Sequence, residues 1–127
     1  MALFRSSSSN GGGGAPTIEQ LTYNANKRLL GSITTYGGSY TATEDCVMYG
    51  YGKATSGSTS GAYLSANSAS SDIFIMSAGT TNAFYIGSNS TPGTNPTGMG
   101  MFIPKGVTVY ARALSNQTFN LKFYSLD

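Results

Sequence analysis

Histidine is absent from this 127-residue chain, cysteine occurs once, and charged residues make up only 9% of it. Without histidine there is no Ser-His-Asp triad, no Cys-His pair, no His-ligated metal and no imidazole to act as acid or base. A lone Cys46 excludes an internal disulfide and any CxxC redox or zinc site; a small buried residue is the expectation there. So few charges exclude a coiled coil or a polyelectrolyte tail. The acids are Glu19, Glu44, Asp45, Asp72 and Asp127. A glycosidase needs two carboxyls about 5–9.5 Å apart in a cleft. Glu44 and Asp45 are sequence neighbours that a strand would point to opposite faces, so they read as turn residues. No DxDxDG-like calcium loop is present. Gly50-Tyr51-Gly52 and Gly98-Met99-Gly100 begin like a dinucleotide fingerprint. Thr55 and Ile103 then stand at the third glycine position, so these are strand glycines at bulges or close contacts. The expectation is a non-enzyme with no catalytic residue, cofactor or metal. A net charge of +2 and a pI near 8.7 are too weak to propose nucleic acid as a partner. The longest apolar run near the start, Ala2-Leu3-Phe4, is too short for a signal core or a membrane span, which points to synthesis in a cytoplasm and no membrane insertion.

Small and short polar residues are abundant instead. Ser, Thr, Gly and Asn fill 59 of the 127 positions. Leu, Ile, Val and Phe supply only 23, close to the level at which disorder becomes the default, but that warning applies to highly charged chains. Nine tyrosines and five methionines add bulk. A chain of this length folds as one domain, and its tyrosine-rich, turn-rich composition is that of an all-β protein.

Residues 1–16, MALFRSSSSNGGGGAP, form a distinct arm. Its Ser/Gly run is a flexible spacer spanning roughly 15–20 Å over about ten residues. Leu3, Phe4 and Arg5 at its tip have two readings, a frayed terminus or an anchor that plugs a pocket on another subunit. Residues 17–30 follow as a linker or short helix, with Thr17 and Gln20 spaced as a capping box.

From residue 31 to 127 apolar residues recur with period two between turn signals, which predicts eight short strands. They fall at about 31–41, 46–54, 61–66 (short and edge-like), 72–78 (apolar on both faces), 83–88, 99–103, 107–114 and 118–126. Spacing of this kind suits a sandwich or jelly roll. Loops at 55–60 and 88–98 would face outward. Ile103-Pro104-Lys105-Gly106 reads as a turn with Pro second and Gly fourth. Val107, Val109, Ala111 and Ala113, with Phe119, Leu121 and Phe123, form the inward sets of the last two strands. The opposite sets carry Tyr110, Arg112, Leu114, Lys122, Tyr124 and Leu126. Such an apolar-aromatic outer face is either a subunit contact or covered by loops of the same chain. Tyr49, Tyr51 and Tyr63, within the wider set of Tyr36, Tyr40 and Tyr85, form a possible platform for stacking on sugars.

The stretch Gly38-Ser39-Tyr40-Thr41-Ala42-Thr43-Glu44-Asp45-Cys46-Val47, with Phe102-Ile103-Pro104-Lys105-Gly106-Val107-Thr108-Val109 some 55 residues later, resembles small jelly-roll modules of bacteriophage virion proteins, TNF-like or fibre-knob-like. The aromatic final strand Phe119-Asn120-Leu121-Lys122-Phe123-Tyr124 belongs to the same likeness, which covers about residues 31–127. Cys46 stands where that pattern usually has glycine. The resemblance implies an eight-stranded jelly roll, a homotrimer, and a place on a virion as head decoration, head fibre or tail-surface component, made in the host cytoplasm. With the arm it implies docking onto larger capsid or tail proteins through Leu3, Phe4 and Arg5, and a chain of this length is expected to leave no room for a fibre shaft. The alternative is a carbohydrate- or receptor-binding β-sandwich, a host-attachment knob or microbial surface module, whose partner would be a host surface glycan.

Overall fold

The computed structural model describes residues 15–54, 62–67, 76–78, 83–87, 96, 98–112 and 117–127. Leu3, Phe4, Arg5, Ala113, Leu114, the 55–60 loop, most of the 88–98 loop and the apolar run 73–75 lie outside the described residues.

Among the described residues the chain is all-β apart from one helical turn. That turn is α1, Ile18–Leu21, and it begins where the capping box was expected. The Thr17 hydroxyl accepts from the Gln20 amide at 3.2 Å, and the Gln20 side chain accepts from the Thr17 amide at 2.8 Å. Nine strands follow among the described residues: β1 (Leu29–Ile33), β2 (Ser39–Thr41), β3 (Cys46–Ala54), β4 (Ala62–Ala66), β5 (Met76–Ala78), β6 (Ala83–Ile86), β7 (Met101–Ile103), β8 (Thr108–Ala111) and β9 (Gln117–Ser125).

They form two antiparallel sheets. One has the order β1-β9-β3-β6, with β7 also paired to β3; the other runs β2-β8-β4-β5. β3 is the spine of the larger sheet. Its whole length pairs with β9, from Cys46 opposite Ser125 to Ala54 opposite Gln117. Its other side is shared by β7 at residues 46–48 and β6 at residues 50–53. The core lies between the sheets: Ile33, Cys46, Met48, Phe84, Phe119, Leu121 and Phe123 from one, Leu64, Val109 and Ala111 from the other. Phe119, Leu121, Phe123, Val109 and Ala111 are inward as their alternation required.

Several expectations are corrected. The predicted strand at 31–41 is two strands, because the chain turns at Tyr36-Gly37 and passes from one sheet to the other. Gly37 takes φ +84° there and its amide bonds the Ala111 carbonyl at 2.7 Å. Eight strands thereby become nine. β4 is no edge: β8 and β5 flank it, and its Ala62 and Ser65 are buried in mid-sheet. The turn after β7 is shifted by one residue. The Val107 amide bonds the Pro104 carbonyl at 3.1 Å, which places Gly106 third, at φ +90°, as a type II turn demands. Gly50 and Gly52 sit in a regular ladder rather than at bulges, and close contact explains them. A Cβ on Gly50 would lie 2.0 Å from the Asn120 carbonyl oxygen. The bulge is in β1 instead, between Leu29 and Gly31.

Candidate functional site

The expected outer face of the last two strands is not one surface. β8 pairs with β2 and β4, whereas β9 pairs with β1 and β3. Tyr110 and Arg112 therefore lie on the outside of the four-stranded sheet, and Lys122 and Tyr124 on the outside of the larger one. Leu126 lies past the end of β9, half-buried. Period two tells which residues share a face of one strand; it does not tell which sheet the strand joins.

On the four-stranded sheet the Arg112 guanidinium sits over the Tyr63 ring, 5.9 Å from its centroid. The Arg112 amide bonds the Tyr63 carbonyl at 3.1 Å. The Arg112 Nε is buried and has no hydrogen-bond partner among the described residues.

The outside of the five-stranded sheet is aromatic. Val47, Tyr49, Tyr51 and Lys53 alternate outward along β3, and Tyr124 stands opposite Val47 on β9. Residues 17–28 cross this face as a strap. Tyr23 from the strap meets Tyr49 and Tyr124 edge-on, with the three ring centroids 5.6–5.9 Å apart. The Tyr49 hydroxyl donates to the Leu21 carbonyl at 2.5 Å. The strap also pairs with residues 98–100: Tyr23 amide to Gly98 carbonyl at 3.3 Å and Gly100 amide to Leu21 carbonyl at 2.8 Å. Burial pushes the Tyr49 hydroxyl up to about 12, against a hydrogen bond involving the Gly100 backbone, and burial beside Tyr23 raises Tyr124. These phenols are neutral packing groups near neutral pH.

The tyrosine platform is accordingly corrected. Tyr49, Tyr51 and Tyr63 are all buried, and Tyr63 belongs to the opposite sheet. The exposed members of the wider set are Tyr36 and Tyr85, the latter beside Tyr51 with ring centroids 6.1 Å apart. Leu29, opposite Tyr124, is exposed as well. On the strap side, so are Ile18 and Met99.

The charged groups act as joints. Asp45 accepts from the Lys105 amide at 2.8 Å, and Ala42 exchanges backbone bonds with Gly106 and Val107 at 2.8 and 2.9 Å. These bonds join residues 42–45 to residues 105–107. Glu44 pairs with Arg28 at 3.0 Å, and Asp127 lies 3.7 Å from the same guanidinium. Cys46 is buried, and burial with the adjacent Asp45 and Glu44 charges pushes its thiol up to about 12, so it is no nucleophile. Among the described residues no three His, Cys, Asp or Glu side chains converge as a metal site, and no helix is long and apolar enough to cross a membrane.

Lys27 was not singled out by sequence reasoning. It is 7% exposed, and its ammonium donates to the carbonyls of Gln20, Ser125 (3.4 Å) and Leu126 (3.3 Å). Burial lowers its pKa from the ordinary 10.5, with the Asp127 charge opposing. Nothing in the Asn26-Lys27-Arg28 run separates it from a solvated surface lysine.

No protein-family model, curated protein or solved structure matches the chain.

Proposed function

We propose that this chain is a non-enzymatic structural protein of a bacteriophage particle. In this reading a jelly-roll domain associates with copies of itself as a homotrimer and docks onto larger head or tail proteins through residues 1–16. The strand pairing supports the jelly roll. β1 pairs with β9, β2 with β8, β3 with β6 and β4 with β5. Those are the four rungs of one long hairpin rolled into two sheets, with β7 added beside β6 on β3.

The observation that carries the assembly reading is the outer face of the five-stranded sheet. Leu29 is 57% exposed and Tyr85 42% exposed, and they share that face with Tyr124 and the buried Tyr49 and Tyr51. With Tyr49 and Tyr124 already covered by residues 17–28, the large side chains exposed at the two edges of that face, Leu29 and Tyr85, fit a protein contact better than solvent. Several arms docked on a repeating lattice would add avidity to weak single contacts.

Light scattering after size exclusion at micromolar concentration tests the association. The expected mass is about 40 kDa, three copies of 13.2 kDa, and a stable monomer overturns it. Leu29→Asp combined with Tyr85→Asp should yield a monomer with an unchanged circular-dichroism spectrum. Deleting residues 1–14 should leave a folded trimer that no longer joins particles, and unchanged incorporation overturns the anchoring role.

A further inference from the structure

The strap that crosses the aromatic face is held mostly by polar contacts. No residue of α1 is buried, and Ile18 faces solvent. Leu21 offers one carbonyl to both Tyr49 and Gly100, and Tyr23 supplies the ring contact. Beyond Lys27 the chain is fixed to the body. The Arg28 amide bonds Ser125 Oγ and the Ser125 amide bonds the Arg28 carbonyl, both at 2.9 Å. Between these regions lies a turn of exposed residues, Asn24, Ala25 and Asn26, closed by the Lys27 amide on the Asn24 carbonyl at 3.2 Å. The Lys27 ammonium reaches across that turn in both directions. One of its acceptors, the Gln20 carbonyl, belongs to the strap, and two, on Ser125 and Leu126, belong to the end of β9 and the residue after it. An ammonium has three donors, matching these three acceptors.

We propose that Lys27 is the pin of a latched strap: residues 17–23 open as one unit about the 24–27 turn, and the Lys27 ammonium in its three-carbonyl cage holds them shut over Val47, Tyr49 and Tyr124. The closed strap contributes to the burial of Tyr49, whose hydroxyl donates to the strap's Leu21 carbonyl and also takes part in a hydrogen bond with the Gly100 backbone. Opening bares the aromatic face while the β3–β9 ladder stays intact. Local opening of this kind has a free energy below that of global unfolding, because few apolar contacts are lost.

Hydrogen exchange read by mass spectrometry tests the device. In the unaltered protein under mild denaturant, the Tyr23 and Gly100 amides should exchange together and well before those of Met48 and Leu121. Exchange of all four at one common rate overturns the proposal. Lys27→Met removes the donors while keeping the length of the side chain. It should speed exchange at Tyr23 and Gly100 tenfold or more and leave Met48 and Leu121 unchanged. No change at the strap amides, or an equal change throughout the sandwich, overturns the proposal. Tyr49→Phe removes a strap contact without the pin and should have the smaller effect. If it opens the strap as far as Lys27→Met does, the pin assignment is wrong.

Discussion

Raising the pH above 9 should destabilise this protein, and Cys46 should determine where the loss begins. The Cys46 thiol titrates near 9.0 in an unfolded chain and is pushed up to about 12 by burial in the native state. Between those values the folded state keeps a proton that the unfolded chain has released. Its stabilising contribution is therefore fully present below pH 9 and is lost as the pH rises through 12. At about 1.4 kcal/mol for each pH unit the loss amounts to about 4 kcal/mol. Tyr49, moved from 10.0 to about 12, adds about 3 kcal/mol of the same sign over a narrower window. Lys27 works the other way. Its native pKa is below 10.5, so the unfolded chain binds more protons up to that value, and stability from this group rises with pH.

A domain of this size has about 5–15 kcal/mol of stability in total, so the two acids together remove a large share of it. Between pH 9 and 10, however, Cys46 loses its contribution before Tyr49 does. Urea unfolding followed by circular dichroism should show stability level from pH 7 to 8.5, falling beyond 9 and falling faster beyond 10. Cys46→Ala, which trades a small cavity for the thiol, should lower the plateau by about 1 kcal/mol and erase the fall between 9 and 10. Absorbance at thiolate and tyrosinate wavelengths should rise with the unfolding transition and not ahead of it. Equal slopes for both proteins between pH 9 and 10, or early thiolate absorbance in the folded protein, would refute the reasoning.

Gly50→Ala places a Cβ 2.0 Å from the Asn120 carbonyl at a φ of +138°, inside the β3–β9 ladder, and should cost at least about 3 kcal/mol or prevent folding. Gly98→Ala is the matched control: φ is +76° but nothing lies within 4 Å, so thermal melts should report a cost of only about 1 kcal/mol. Asp45→Ala leaves the Lys105 amide without its acceptor and should lower urea stability by about 1–2 kcal/mol, with Asp45→Asn recovering part of it. One molar salt should change stability by less than about 0.5 kcal/mol, since the Arg28–Glu44 pair is largely exposed and screening has little else to act on.

Local signals were legible in the sequence and pairings were not. Thr17 and Gln20 marked where a short helix could start, with a linker as the other reading, because a capping box is a contact between residues three apart. β3 was readable to the residue, because Cys46 to Ala54 alternates without a break before turn chemistry resumes. The split of 31–41 was carried by Tyr36-Gly37-Gly38, a turn signal short enough to be absorbed into a run of alternating residues. β4 looked like an edge because it is short, yet its pairing with both β8 and β5 puts it inside the sheet. The separation of β8 from β9 had no local signal at all. Both strands have an inward set that any sandwich could bury, and only the hydrogen-bonding partners, tens of residues away, decide the sheet. Lys27 was hidden for the same reason, since two of its three acceptors are 98 and 99 residues distant.

The distribution of charge gives the few ionic groups a common location. Of the twelve charged residues, Lys27, Arg28, Glu44, Asp45, Lys105 and Asp127 gather at one end of the sandwich. At that end β1 begins, β9 ends, β3 begins and β7 ends: Cys46 stands opposite both Ser125 and Ile103, and the Ser125 amide bonds Arg28. Strand termini leave backbone groups that the ladders do not satisfy, and these side chains take up several of them: Lys27 on the Ser125 and Leu126 carbonyls, Asp45 on the Lys105 amide. Along the sheet faces the same work is done by the ladders themselves, and tyrosine supplies both bulk and a hydroxyl where a strap must be tied down. The outer faces carry fewer charges, Lys53 and Lys122 on the larger sheet and Arg112 over Tyr63 on the smaller, and sparsely charged faces desolvate at lower cost than ionic ones. Half of the charged residues thus stand where strand ends need side-chain partners, which the ladders cannot supply there.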